Sequence, residues 1–361
     1  MNVHSSLVLL WCICSAALQQ SCAKVNTDYE NELRNHFSNF TWASSLLNKG
    51  RKLLPSYNQE AIISRYITVD KHGKGQYTRI QDAVDSIPEK NTKWVYIQIN
   101  AGYYTEKVII PYNKPYIIFQ GAGKSSTIIS WSERASDSST SDSATFSVYA
   151  DSFVARGIGF KNAAPPAPPG ANGGQAVAVL LSGDMMAFYK CGFYGAQDTL
   201  FDGLGRHYFK SCYIEGSIDF IFGQGQSTYK ECELYVKAQE GYISGSITAQ
   251  KRDDTHDSGG FVFVSCTIGG TGQVYLGRAW GAYSRVVFMY TYMSSIIAPE
   301  GWSDWGIPSR RSTVYYGQYK CYGPGADTSR RVHWSHTLSD QQAQPFLELS
   351  YIDGGSWLQE S

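Results

Sequence analysis

The chain has 361 residues, enough for one large domain or two ordinary ones. Charged residues make up only 17 % and aromatics 14 %, and 35 Gly with 26 Tyr indicate a strand-and-turn-rich protein, not a disordered or coiled-coil one. The 31 basic and 31 acidic residues cancel, so the chain lacks the basic excess that nucleic-acid binding draws on, and no nucleic-acid partner is expected.

The first segment, "MNVHSSLVLLWCICSAALQQSCA", carries an apolar run from Leu7 to Leu18 followed by small residues, and Ser21-Cys22-Ala23 fits a cleavage site. Residues 1–23 are expected to be a secretory signal peptide, although the segment before the run has no Lys or Arg; the alternative is a membrane anchor, for which the run is too short to span a bilayer comfortably. No later stretch is apolar enough to span. A secreted product is therefore expected, on which the sequon Asn39-Phe40-Thr41 becomes usable for glycosylation. Residues 24–60 form a short leader containing Arg51–Leu54 ("RKLL"), either a basic helix end or a processing site. Cleavage after Ala23 removes Cys12, Cys14 and Cys22 and leaves Cys191, Cys212, Cys232, Cys266 and Cys321. Secretion permits disulfides, and an odd count leaves at least one thiol over. There is no CxxC pair and no clustered His, which argues against zinc.

At Tyr66 a strand leads through a Gly turn into a short helix. Thr78 and Gln81 suggest a capping box, Ile80, Ala83, Val84 and Ile87 form an apolar stripe, and Pro88 helps end it. Such a helix suits the open end of a sheet structure. From about Val95 to Tyr322 the chain reads as short strands broken by Gly, Asn, Asp and Pro, which an antiparallel sandwich would also show. Self-similarity decides between the two. "FYKCGFYG", "YFKSCYIEG", "YKECELYV" and "VSCTIGG" repeat one pattern around Cys191, Cys212, Cys232 and Cys266, at steps of 21, 20 and 34 residues. A period near 20 with one insertion predicts the stacked coils of a parallel β-solenoid.

Asp198 and Asp219 are also separated by 21 residues. If the cysteines occupy equivalent places on adjacent coils, so do the aspartates, about 4.8 Å apart on one face. Carboxylates that close do not ionise independently, and one pKa should rise, giving one acid and one base or nucleophile. Such a pair permits retaining glycoside hydrolysis or ester hydrolysis. Gln197 precedes the first Asp and Gln175 lies upstream in "GGQAVAV". Neutral amide donors suit an oxyanion better than a sugar cation, though amides also build ordinary solenoid ladders. "LGRAW" supplies Arg278, able to fork onto a carboxylate, and Trp280, a flat surface for a sugar ring.

"GYYTE", "GGQAVAV", "GAQDTL", "DFIFG" and "LGRAW" occur in that order and resemble the signature blocks of plant pectinesterases (pectin methylesterases); "GWSDWG" and "YYGQYKCYGPGA" look similar too. The resemblance covers about Tyr66 to Leu358. It implies an all-β, single-domain right-handed parallel β-helix over residues 61–361, and hydrolysis of the C6 methyl esters of homogalacturonan with release of methanol. It implies Asp219 as nucleophile forming an acyl-enzyme, Asp198 as general acid and then base, and Gln197 and Gln175 at the oxyanion. Arg278 would orient Asp219 and keep it ionised. Thr140, Gln175, Phe201, Arg278 and Trp280 match positions that contact substrate. It implies no metal or organic cofactor, pectin as the partner, a possible proteinaceous inhibitor, a monomer, and a place in the cell wall.

The chain departs from the family pattern at three points. Ala279 stands where Pro is usual, Gln224-Gly225 follow DFIFG where Asn-Ala is common, and the leader is too short for the inhibitor-like pro-region of many relatives. The competing expectations are a polygalacturonase or lyase on the same scaffold, or a catalytically silent wall-binding relative. No acidic cluster suited to the Ca²⁺ cage of a lyase is evident, and the retained Asp198, Asp219, Gln175, Gln197 and Arg278 argue against a silent protein.

Overall fold

The computed structural model describes residues 63–358 apart from 169, 170, 242 and 348. The expected signal peptide, leader, sequon and Arg51–Leu54 site lie outside the described residues.

Three sheets run the length of the protein, and every strand pairing in them is parallel. Sheet A has 11 strands, from Ile63–Val69 to His336–Thr337; sheets B and C have 8 each, from Gly102–Thr105 and Val108–Ile110 onward. The chain visits A, B and C in turn, so strands adjacent in each sheet come from successive coils. This is the right-handed parallel β-helix. The 21-residue step holds in all three sheets between one pair of coils: Met186 pairs with His207, Gly192 with Tyr213 and Leu200 with Ile221.

The interior is built from ladders of like residues. Phe188, Phe209, Tyr229, Phe263 and Phe288 stack coil on coil, with centroids 4.5 Å apart for Phe209–Tyr229 and 4.4 Å for Phe263–Phe288. In six successive coils the turn between sheets A and B passes through one non-glycine residue in the left-handed region, at Lys190, Ser211, Glu231, Ser265, Tyr290 and Lys320. The next residue points inward. In five of these six coils it is a cysteine, and in the other it is Thr291. All five cysteines are free thiols, their Sγ–H groups donating to backbone carbonyls, as Cys212 does to Phe188 O at 3.4 Å. The cysteine repeat is thus a turn signature.

Two expectations need correction. The 34-residue step is not one insertion but two. Tyr213 pairs with Glu233 at a step of 20 in sheet B, Ile221 with Thr248 at 27 in sheet C, and Ser227 with Phe261 at 34 in sheet A. Seven extra residues therefore lie on each side of the paired stretch Thr248–Gln250. The helix, α1 (Ile80–Asp85), has no capping box: Arg79 is its N-cap and no side chain caps it from there. The buried carboxylate of Glu106, the acid of "GYYTE", accepts from Ile80 N at 2.9 Å and Gln81 N at 3.1 Å. The Gln81 amide is engaged elsewhere, its oxygen accepting from Ile109 N at 2.7 Å. A buried anion on the unpaired N–H groups and positive end of a helix is a stronger arrangement than a local hydroxyl cap. Ile80, Ala83 and Val84 sink into the interior, so α1 plugs one end. At the other end of the chain, α2 (Asp340–Leu347) and the turn Leu349–Ile352 lie on the outer face of sheet A, with Ala343 and Ile352 buried against it.

Candidate active site

Between sheets B and C the chain turns again, and here two coils carry the aspartates. Asp198 (φ 61°) and Asp219 (φ 48°) both adopt the left-handed conformation, which a short polar side chain tolerates better than most. Gln197 bridges Ile218, and Asp198 N donates to Ile218 O at 3.0 Å. Continued by one residue, this register sets Asp198 beside Asp219 on neighbouring strands, about 4.8 Å apart along the backbone. The shared 21-residue step therefore corresponds to real stacking. Both carboxyls are almost fully buried.

Arg278 ends the site's charge pattern. Its Nε donates to Asp219 Oδ1 at 2.7 Å and its Nη2 to Asp219 Oδ2, a bidentate fork. No cation pairs directly with Asp198 among the described ion pairs. Burial raises both carboxyl pKa values. For Asp198 the charge of Asp219 adds to burial and carries it well above the ordinary carboxylate range, with Arg278 opposing. For Asp219 burial also raises the pKa, but the charge and hydrogen bonds of Arg278 pull it back. The pair thus separates into a reluctant acid, Asp198, and a carboxylate held toward its ionised form, Asp219.

Phe201 pairs in register with Phe222, and their rings stack at 4.4 Å; Trp280 lies 6.1 Å beyond Phe222. The same row continues through Ala249 to Arg278. Gln197 extends past Gly174, where a methyl group would fall 2.8 Å from the amide oxygen. Gln175 Oε1 is a buried polar atom without a hydrogen-bond partner, while its backbone oxygen accepts from Ala135 N at 2.8 Å. Thr140 is buried. Its carbonyl accepts from Ser143 Oγ, which in turn accepts from Val177 N two residues from Gln175. Ala279, in the usual place of Pro, is the strand partner of Gln250, and its carbonyl accepts from Arg310 Nη1 at 2.5 Å, so the loop after Arg278 is tied down from another coil.

Sequence reasoning missed Phe222, which the step 222 − 201 = 21 would have found. It also missed Trp305, whose ring lies against Arg278, because "GWSDWG" carries no chemistry of its own.

Two in-register carboxylates, one forked by arginine and flanked by stacked aromatics on a parallel β-helix, define a solenoid enzyme with a carboxylate dyad. A family model for pectinesterase matches residues 66–355. The Arabidopsis thaliana protein "Probable pectinesterase 8" is 48 % identical over 302 residues, covering 82 % of this chain and 77 % of its own. "Pectinesterase QRT1" of the same plant is 45 % identical over 305 residues, covering 82 % and 79 %. The solved pectin methylesterase from carrot is 36 % identical with a TM-score of 0.77, covering 83 % of this chain and 97 % of that one. A pectin methylesterase solved in complex with a hexasaccharide is 25 % identical with a TM-score of 0.70, covering 83 % and 100 %. The chain belongs to the pectinesterase family, enzymes that hydrolyse the methyl esters of pectin.

Proposed function

We propose that the chain demethylates the C6 esters of homogalacturonan with Asp219 as nucleophile and Asp198 as acid and base. Asp219 attacks the ester carbonyl, and negative charge passes to the carbonyl oxygen. The side-chain amides of Gln197 and Gln175 donate to that oxyanion, each contributing about 3 kcal/mol if typical of such donors. The protonated Asp198 gives its proton to the departing methoxide, releasing methanol and leaving an acyl anhydride on Asp219. Asp198, now a carboxylate, takes a proton from water, whose hydroxyl attacks the anhydride. The product is a galacturonic acid, which loses its proton to solvent, and both aspartates return to their starting states. The aromatic row Phe201–Trp280 and the neighbourhood of Thr140 line the path of the sugar chain.

The observation that carries this reading is the asymmetry of the dyad. Arg278 forks onto Asp219, whereas on Asp198 burial and the charge of Asp219 outweigh the more distant pull of Arg278. One carboxyl is favoured as a nucleophilic anion and the other as an acid. The same reading takes the protein as a secreted monomer acting on pectin in the cell wall and open to a proteinaceous inhibitor. Purified protein on highly methylated pectin should release methanol without new reducing ends. Reducing ends or unsaturated products at a comparable rate would instead indicate a polygalacturonase or lyase.

A further inference from the structure

Arg278 is held by more than Asp219. Its Cζ lies 3.6 Å from the centroid of the Trp305 ring, so the guanidinium and the indole are in contact. Its N–H groups meet Asp219 while the Trp305 ring covers the guanidinium carbon. Nothing in the reaction described above uses Trp305.

The turn that carries this residue is closely held. Trp305 has φ 63°, in the left-handed region that a bulky side chain rarely adopts. Such strain persists only where the surroundings over-determine it, and it collects at functional sites. Here the surroundings are plain. Trp305 N donates to Ser303 Oγ at 3.3 Å, and Gly306 N donates to Asp304 Oδ1 at 2.9 Å. Asp304 Oδ2 accepts from Arg311 Nε at 2.6 Å. Ser303 is itself the strand partner of Arg278 on the next coil. The turn thus starts beside Arg278 and folds back over it.

We propose that Trp305 is a positioning residue for ester hydrolysis: its ring clamps the guanidinium of Arg278 so that Nε and Nη2 address Asp219 together. The inference rests on Asp219 being the nucleophile. A guanidinium free to rotate would offer one N–H at a time and lose the two-point contact. Cover on one face also removes water from the fork, which strengthens it. A tryptophan serving as a sugar platform would act differently: it would contribute to binding in the ground and transition states alike and so would show in KM.

Methanol release from methylated pectin by the full-length secreted protein, with Trp305→Leu and Trp305→Phe in the wild-type and Arg278→Lys backgrounds, tests this. Trp305→Leu should lower kcat about tenfold with KM within about twofold, while Trp305→Phe, which keeps a ring face, should stay within about threefold. In the Arg278→Lys background, Trp305→Leu should cost less than about twofold, because an ammonium has no plane to hold. A rise in KM at unchanged kcat, equal losses in both backgrounds, or no loss for Leu would each overturn the inference. A wild-type protein that releases no methanol would instead remove the proposed reaction, before any Trp305 variant is compared.

Discussion

Arg278 is the point at which the proposed chemistry is most exposed to test. Its two donors meet both oxygens of Asp219, whose side chain is 6 % exposed while that of Arg278 is 27 % exposed. Removing a preorganised electrostatic partner from an active site typically costs about 2.7–4 kcal/mol of transition-state stabilisation, and the partial exposure of Arg278 favours the lower end. Arg278→Met should therefore lower kcat/KM by roughly 10²-fold or more, at about 1.4 kcal/mol per decade. Arg278→Lys keeps the charge and one hydrogen bond, so its loss should be smaller, on the order of tenfold. The pH profile carries the sharper statement. Attack requires ionised Asp219, and the nearest charged group favouring that ionisation is Arg278. Without it the folded-state pKa of Asp219 rises, so activity begins only at higher pH, and the acidic limb of kcat/KM moves up. The move should be about one pH unit for each 1.4 kcal/mol lost. It should be clear in Arg278→Met and slight in Arg278→Lys. Methanol release across the pH range measures both quantities. An acidic limb that stays in place in Arg278→Met while the rate falls would show that Arg278 acts on substrate alone and that Asp219 is not the ionised partner.

Asp198→Asn should preserve the turn, since Asn also tolerates the left-handed conformation, yet cost about 10²–10⁴-fold in kcat through loss of the acid and base. An Asn variant with near wild-type turnover would remove Asp198 from the reaction. A second buried pair gives a stability prediction. Asp202 Oδ1 accepts from His207 Nδ1 at 2.5 Å, its Oδ2 accepts from Tyr229 OH at 2.5 Å, and His207 Nε2 faces Gly183 O at 2.8 Å. Burial disfavours the charged ring, but the charge and hydrogen bond of Asp202 outweigh it and raise the pKa of His207 above its ordinary value. A group raised in the folded state stabilises fully below its unfolded pKa, near 6.5, and loses that contribution as pH climbs through the folded value. His207→Gln should destabilise by about 3–5 kcal/mol at low pH, and the gap in Tm to wild type should narrow as pH rises. A gap that is constant with pH would mean that His207 is neutral throughout.

Much of the fold was legible because a β-helix repeats its own local problem. From Lys190 onward the coils turn between sheets A and B through one left-handed residue and bury the next, and a small apolar thiol suits that place. The cysteine contexts therefore carried the coil length, and with it the stacking of Asp198 on Asp219. The insertions beside Thr248–Gln250 escaped because cysteines mark only one corner of the coil, so lengths gained at two other corners appear as a single sum. The cap of α1 escaped for another reason. Glu106 reaches the helix from 26 residues away, and no local pattern competes with a long-range carboxylate. Trp305 and the Asp202–His207–Tyr229 group were invisible because each gains its meaning from a partner on another coil. Gly225 is an intermediate case. It appeared as a departure from the family pattern, and the structure supplies a cause: a methyl group there would sit 2.1 Å from Asp202 Oδ1. The common Ala would collide with the buried carboxylate that His207 and Tyr229 hold.

The repeat also explains why the charge stays confined to one pair. Continued through successive coils, the row of the aspartates reads Val177, Asp198, Asp219, Ser246 and Tyr275, so the two acids are bounded by neutral residues on either side. Only Asp198 and Asp219 in this row take the left-handed turn. A third carboxylate would raise the pKa of both neighbours and leave no stable anion to attack. The balancing cation comes from further along. Arg278 stands in the row of Phe201, Phe222 and Ala249, three residues further along the strands and two coils beyond Asp219. Two strand spacings, about 9.6 Å, lie between those backbones, and the residue in between is the small, buried Ala249. That gap lets a long guanidinium reach back to Asp219 while Phe201 and Phe222 remain in register. The dyad's asymmetry is thus a product of spacing. Adjacent coils place the acids together, and the second coil onward sends its cation to the nearer one.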